Sequence, residues 1–173
     1  CVTLRGCTVD EMLKDAAMAT AAGAEMVEVR LDKLWVVEQM PEPDPAEEEA
    51  KRDDRRPKYV ELDFIPQPLD SVDVQGALES LKQGIDLPVI LTCRPVRQQG
   101  HLPGEEGRRS EVRSAAINSA VSWIDLEVAN ESKARKSLMD DASGKAKVVA
   151  FLRSSENPPS ASEIIHDVED NSD

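Results

Sequence analysis

In the stretch AEMVEVRLDKL, residues 24–34, Glu28, Arg30 and Asp32 alternate with Val27, Val29 and Leu31. That is the two-residue period of a strand with one apolar and one charged face. A second run, LPVILTCR at 87–94, is almost continuously apolar, as in strands covered on both sides of a parallel sheet, yet it ends in Arg94. Asp125, Glu127 and Arg153 stand at comparable places in later apolar runs. Where guanidinium groups and carboxylates converge, they hold the hydroxyl and carboxylate groups of a small polar ligand through charge-assisted hydrogen bonds. Spacing alone leaves two readings open. Either these charges form a shared polar mouth above an aliphatic core, or each caps its own strand and pairs with a neighbour.

The other reactive residue types point to less. Cys1, Cys7 and Cys93 are odd in number, with neither a CxxC spacing nor histidines beside them, so a reducing compartment and no metal site are expected. His101 lies in the loop GHLPGEEG and His166 beside Ile165 on the last helix-like stretch, and both are expected to be solvated. Lys145 and Lys147 stand at the start of a strand, away from its functional end, and are expected in solvent; Trp123 is expected in the core.

The elements that must position these residues alternate along the chain. CVTLRG, MVEVRL, LPVILTCR, SWIDLEV and KAKVVAFLR read as strands. Between and after them, TVDEMLKDAAMATAAG, VQGALESLKQG, RRSEVRSAAINSAV, a polar stretch near 130–140 and SASEIIHDV read as helices. Thr8 with Glu11 and Ser160 with Glu163 have capping-box spacing, and Gly23 is placed to stop the first helix. Five strand–helix units imply an α/β parallel sheet, doubly wound or part of a (β/α)8 barrel, and in either case the chemistry sits at the C-terminal ends of the strands. Residues 35–70 break the alternation. They are rich in proline and in blocks of both charges, which predicts a solvated surface insertion, with YVELDFI at 59–65 a candidate extra edge strand.

The 173 residues fit a single domain, 1–173. Hydrophobic residues make up 40 % and aromatics 3 %, so the core must be aliphatic. A net charge of −13 repels nucleic-acid backbones and anionic lipid, so no nucleic acid and no membrane are expected as partners, while a small anionic substrate is still admitted where a few arginines converge. No apolar run approaches the roughly 20 residues that span a bilayer. The chain opens with Cys1 rather than Met inside a strand, so a fragment or processed piece is expected.

The segments GAEMVEVRLDKL, PVILTCRPVRQQGHLPGEEGRR, SWIDLEV and KVVAFLRSSENPPSASEI, in that order, resemble the type I 3-dehydroquinate dehydratases. The likeness is nearest to the domain that forms the first half of the plant and algal bifunctional dehydroquinate dehydratase–shikimate dehydrogenases. It runs through nearly the whole chain outside the insertion. The resemblance implies a partial (β/α)8 TIM barrel, the first five or so units of a fold of roughly 220–250 residues. It also implies a lyase of the shikimate pathway that removes water from 3-dehydroquinate to give 3-dehydroshikimate and needs no metal or external cofactor. Its implied partners are a polyhydroxy carboxylate substrate and a fused or following shikimate dehydrogenase domain. Its implied location is the chloroplast if the plant likeness holds, and otherwise the cytoplasm.

In that family a lysine forms an imine with the substrate ketone, and a histidine oriented by a glutamate moves the protons. Carried over residue by residue, the resemblance puts Glu28, Arg30 and Arg94 at the positions that hold the substrate's hydroxyl groups. The orienting glutamate falls on Gln98, and the family's Ser-His pair falls on Leu152 and Arg153. Gln98 can hydrogen-bond but carries no charge, and a guanidinium cannot serve as a base. The imine lysine belongs on a sixth strand, beyond Asp173. No catalytic residue is therefore expected intact: the resemblance implies a dehydratase that is inactive as this chain, and the alternative is a non-catalytic relative that binds a polyhydroxy carboxylate or a partner chain through Glu28, Arg30 and Arg94.

Overall fold

Strand β2, Val27–Arg30, bears out the alternation of its sequence: Val27 and Val29 are buried while Glu28 and Arg30 are half-buried. The computed structural model describes residues 1–40, 63–104, 106–119, 121–127, 132–151 and 160–169. In it β2 belongs to a five-stranded parallel sheet with β1 (Val2–Thr3), β5 (Val89–Thr92), β6 (Trp123–Glu127) and β7 (Lys147–Phe151). The spatial order is β1-β2-β5-β6-β7. Helices α1 (Val9–Ala21), α2 (Val74–Gly84), α3 (Glu106–Asn118), α4 (Ser132–Ala142) and α5 (Ala161–Glu169) follow the five strands in turn.

This order never reverses. A doubly wound sheet turns back at a switch point, whereas successive units of a (β/α)8 barrel keep advancing in one direction. The core agrees with the barrel reading. Val27, Val29, Leu91 and Ile124 from the strands pack with Met12 and Ala16 of α1, Leu78 and Leu81 of α2, Ala116 and Ile117 of α3, and Leu138 of α4. The register aligns Val29 with Leu91, Leu91 with Ile124 and Ile124 with Val148. Residues in register point the same way, so this row is the helix-covered face. Glu28, Ile90 and Thr92, at the alternate positions, belong to the opposite face, the one a barrel turns inward.

Helix boundaries follow local chemistry. Thr8 accepts the Glu11 N–H at 3.3 Å and the Glu11 carboxylate accepts the Thr8 N–H at 3.1 Å, closing the capping box of α1. Gly23, at φ 86°, turns the chain away after that helix. Asp73 caps α2 through the Gly76 N–H at 3.0 Å, and Ser160 and Glu163 form the box that opens α5.

The insertion is only partly as expected. Its middle, residues 41–62, lies outside the described residues; its start is packed, with Trp35 and Val36 buried, while Asp63–Pro66 near its far end are exposed as expected. A two-stranded antiparallel hairpin pairs β3, Val36–Gln39, with β4, Asp63–Pro66. The end of YVELDFI therefore does pair, but within this hairpin and not at the edge of the parallel sheet. Trp35 ends a short 3-10 helix, Leu31–Trp35, and is 1 % exposed, its Nε1 donating to the Leu69 carbonyl at 2.9 Å. An indole of that size gains more from burial than a charged, proline-rich setting implies, provided its N–H finds a partner.

Trp123 is also a correction. It is half-buried and outside the helix-side core, with the Lys147 Nζ 4.8 Å from its ring centroid. Register decides this: Trp123 aligns with Ile90 and Lys147, on the face away from the helices.

Trp35 makes a direct test of how the insertion is rooted. Trp35→Ala should lower unfolding free energy by about 3–5 kcal/mol in urea denaturation, the range for emptying a buried aromatic site. Trp35→Phe, which forfeits chiefly the hydrogen bond, should cost about 1 kcal/mol. Equal and small losses for both would mean that the insertion's ends do not contribute to the fold.

Candidate functional site

Glu28 stands between two threonines because the register puts Thr3 of β1 beside it and brings Thr92 of β5 to the next inward position. Thr3 Oγ1 donates to Oε2 of Glu28 at 2.6 Å, and Thr92 Oγ1 donates to Oε1 at 2.7 Å. Arg94, just past the end of β5, approaches the same carboxylate, with Nη2 3.5 Å from Oε1. Its Nε lies 3.8 Å from Oδ2 of Asp125 on β6. Thr3, Glu28, Thr92, Arg94 and Asp125 thus link four adjacent strands through polar contacts. Thr92 and Asp125 are buried, so these groups exchange water for one another.

Arg30, at the tip of β2, is gripped side-on by Asp32, whose Oδ1 accepts from Nε at 2.9 Å and Oδ2 from Nη2 at 2.7 Å. Burial pulls the Arg30 guanidinium toward its neutral form, but its hydrogen bonds and charge contact with Asp32, helped by Glu28 and Asp125, outweigh that and hold it above its ordinary value. It is a permanent cation. Asp32 is fully buried. Among the described residues the two readings left open by spacing therefore coexist: Glu28, Arg30, Asp32, Arg94 and Asp125 are paired, and the pairs lie beside one another at the strand tips.

The loop after β5 closes beside this cluster. Leu102 donates its N–H to the Arg94 carbonyl at 3.0 Å, and Gly100 sits so close that a Cβ there would collide with the carbonyl oxygen and Cβ of Arg94. Gln98 ends a short 3-10 turn in this loop, Val96–Gln98, and is half-buried. His101 is not the solvated residue its loop setting predicts. Its backbone N–H donates to Asp32 Oδ2 at 3.1 Å, its ring lies 5.0 Å from that of Phe64 on the hairpin, and the residue is half-buried. A buried acceptor that needs donors draws the loop inward. Thr3, Thr92 and the docking of His101 escaped sequence reasoning; for Thr92 the usable signal was its position opposite Arg30 in the strand register.

The other candidates lie elsewhere. Lys145 and Lys147 are exposed at the opposite end of the strands, Lys145 bonding to Asn118 at 3.0 Å. Cys7 is buried, and that burial pushes its thiol up to about 11, Lys33 opposing and Glu38 adding, so it is a poor nucleophile. Leu152 and Arg153 lie outside the described residues. Glu127 ends β6 and His166 falls within α5. Among the described residues no group of three or more His, Cys, Asp and Glu could hold a metal ion, and no helix is long and apolar enough to cross a membrane.

A family model described as type I 3-dehydroquinase matches residues 1–172. The chloroplastic bifunctional 3-dehydroquinate dehydratase/shikimate dehydrogenase of Arabidopsis thaliana is 26 % identical over 167 residues, covering 95 % of this chain and 21 % of that protein. A 3-dehydroquinate dehydratase of Klebsiella pneumoniae is 26 % identical over 168 residues, covering 96 % of this chain and 55 % of that enzyme. The chain thus spans just over half the length of the bacterial relative. Among solved structures, the type I 3-dehydroquinate dehydratase of Clostridium difficile superposes with a TM-score of 0.69 at 19 % identity, over 96 % of this chain and 55 % of that one. The dehydroquinate dehydratase and shikimate dehydrogenase of S. pombe gives 0.62 at 22 %, over 97 % and 27 %. These superpositions establish a shared α/β fold.

His101 gives the site a pH signature. Burial lowers it below its ordinary 6.5; Asp32 opposes the shift while Arg30 and Lys33 add to it. The unfolded chain then takes up this proton at a higher pH than the folded chain does. The stability tied to neutral His101 is therefore complete above about pH 6.5 and is lost as pH falls below it. Urea denaturation about one unit on either side of that value should show His101→Gln with a shallower pH dependence than the parent chain. An unchanged dependence would mean that the imidazole is not docked.

Proposed function

The chain belongs to the type I 3-dehydroquinase family, and from that premise we propose that Glu28, Arg30 and Arg94 grip the hydroxyl groups of 3-dehydroquinate or a closely similar polyhydroxy carboxylate. The protein's role is then that of a 3-dehydroquinate dehydratase, taking 3-dehydroquinate to 3-dehydroshikimate and water in the shikimate pathway. The observation that carries this reading is the contiguous pairing of the three residues on the inward face. Each guanidinium already faces a carboxylate: Arg30 faces Asp32, and Arg94 faces Glu28 and Asp125. Among these described residues, two arginines already face three carboxylates. Such a surface suits neutral hydroxyl groups, which donate to Glu28 and accept from arginine N–H in one geometry.

A second reading, binding without turnover, is favoured by Gln98. At the position where the resemblance places the charged orienting glutamate, an amide offers a hydrogen bond but no charge to stabilise a protonated histidine. Arg153 at the histidine's position leaves the proton transfer to some other group. The likeness to the Arabidopsis protein supports a further part of the proposal, a shikimate dehydrogenase domain as partner and the chloroplast as location.

Calorimetric titration with 3-dehydroquinate tests the binding claim. The parent chain should bind at millimolar levels, and Arg30→Ala or Arg94→Ala should weaken binding about tenfold to a hundredfold, the equivalent of losing a charge-assisted hydrogen bond worth about 1.5–3 kcal/mol. The same heats from parent and variants would place the ligand elsewhere. Ultraviolet absorbance of 3-dehydroshikimate then separates the two readings: its formation supports the dehydratase, and binding without it supports the silent relative.

A further inference from the structure

Asp32 is a buried carboxylate that touches two separate parts of the site. Toward β2 it holds Arg30 through Nε and Nη2, a side-on clamp that leaves Nη1 outside the pair. Toward the loop after β5 its Oδ2 accepts the His101 backbone N–H, a tie between residues 69 apart in sequence. His101 adjoins Leu102, which forms a bridge with Pro95 and donates to the Arg94 carbonyl. Gly100 donates its N–H to the Pro95 carbonyl at 3.0 Å, and only a glycine fits against Arg94 there. The segment from Arg94 to Leu102 is therefore a small closed ring of chain. Fixing His101 fixes the end that carries Arg94.

We propose that Asp32 is the positioning residue for both ligand-gripping arginines, holding Arg30 by the side-on pair and Arg94 through the His101 latch. A buried ion pair contributes little net stability on average, because desolvation offsets much of the attraction, so stability alone is a poor reason for one here. Order is a better reason. A free arginine side chain samples many rotamers, and a planar clamp removes that freedom before the ligand arrives. One carboxylate serving both arginines also fixes the spacing between them, which a rigid polyhydroxy ring must match. The inference rests on the dehydroquinate reading only for the ligand used in part of its test.

The test is NMR of the whole 173-residue chain, isotopically labelled. In the parent chain the Arg30 Nε–H and the His101 amide should both exchange slowly with solvent. Asp32→Asn should speed both and shift the Arg94 resonances. Because Asp32 is buried and that variant can fail to fold, His101→Pro provides an independent arm. It deletes the N–H that Asp32 accepts in the loop, together with the ring that meets Phe64, so Arg94 should shift while the Arg30 Nε–H stays protected; His101→Ala, which loses the ring but keeps that N–H, should leave Arg94 unmoved. Titration with 3-dehydroquinate, followed in the same spectra, should show Asp32→Asn weakening binding about tenfold or more, and weakening it less when Arg30→Ala is already present. Rapid exchange of the Arg30 Nε–H in the parent chain, or unmoved Arg94 resonances in His101→Pro, would overturn the proposal. So would an equal effect of Asp32→Asn with and without Arg30. If 3-dehydroquinate does not bind the parent chain at all, the proposed function fails, and the latch stands or falls on the exchange and shift measurements.

Discussion

A carboxylate on the inner face of a sheet cannot be left to water alone, and the arrangement around Glu28 follows from that constraint. Desolvating a charge is costly unless partners replace the lost hydration. Here the replacements are a threonine hydroxyl from each flanking strand and the guanidinium of Arg94. Arg94 in turn brings in Asp125, and the contacts extend from β1 to β6. The strands cannot slip in register without breaking them, since a shift of one residue would send Glu28 toward the helices and Val27 or Val29 toward the polar face. The aliphatic core and the polar face therefore enforce each other: packing on one side sets the register, and ion pairing on the other penalises any alternative.

The same constraint explains how the hairpin and loop join the site. Asp32 is more deeply buried than Glu28, and its donors come from Arg30 and from the backbone of His101. Docking His101 carries its ring to Phe64, whose face also receives Lys33 with Nζ 5.1 Å from the ring centroid. A segment rich in proline and charge is thus tied at its ends to the strand tips, through an aromatic contact on one side and the buried Trp35 on the other. On the proposed reading, the ligand face is preorganised by groups outside the set proposed to grip the ligand.

What was legible in the sequence was what depends on short range. The alternation in β2, the capping boxes at Thr8 and Ser160, and α2 from Val74 to Gly84 could all be read from neighbouring residues. The five-unit pattern followed from them. Long-range consequences were not legible. Trp123 looks like core because it is aromatic, yet register sends it to the open face; His101 looks solvated because it sits among glycines, yet a carboxylate far back in the chain holds it. The burial of Trp35 was hidden by the polar composition of the segment it begins. That Glu28, Arg30 and Arg94 could share a polar mouth was one of two readings that spacing left open, and the resemblance singled these three out. Their presence on one face came from the strand register, which only pairing partners reveal.

The central claim is that the charged face of the sheet, and not the helix-covered side or the opposite strand ends, is the ligand face. Chemical-shift mapping with saturating 3-dehydroquinate addresses it most directly. The account predicts that perturbations concentrate at Thr3, Glu28, Arg30, Thr92, Arg94 and Asp125 and spare the α2–α3 surface and the strand starts near Val89 and Lys147. Perturbations centred on those starts or on the helices, with Glu28 and Arg30 unmoved, would contradict it.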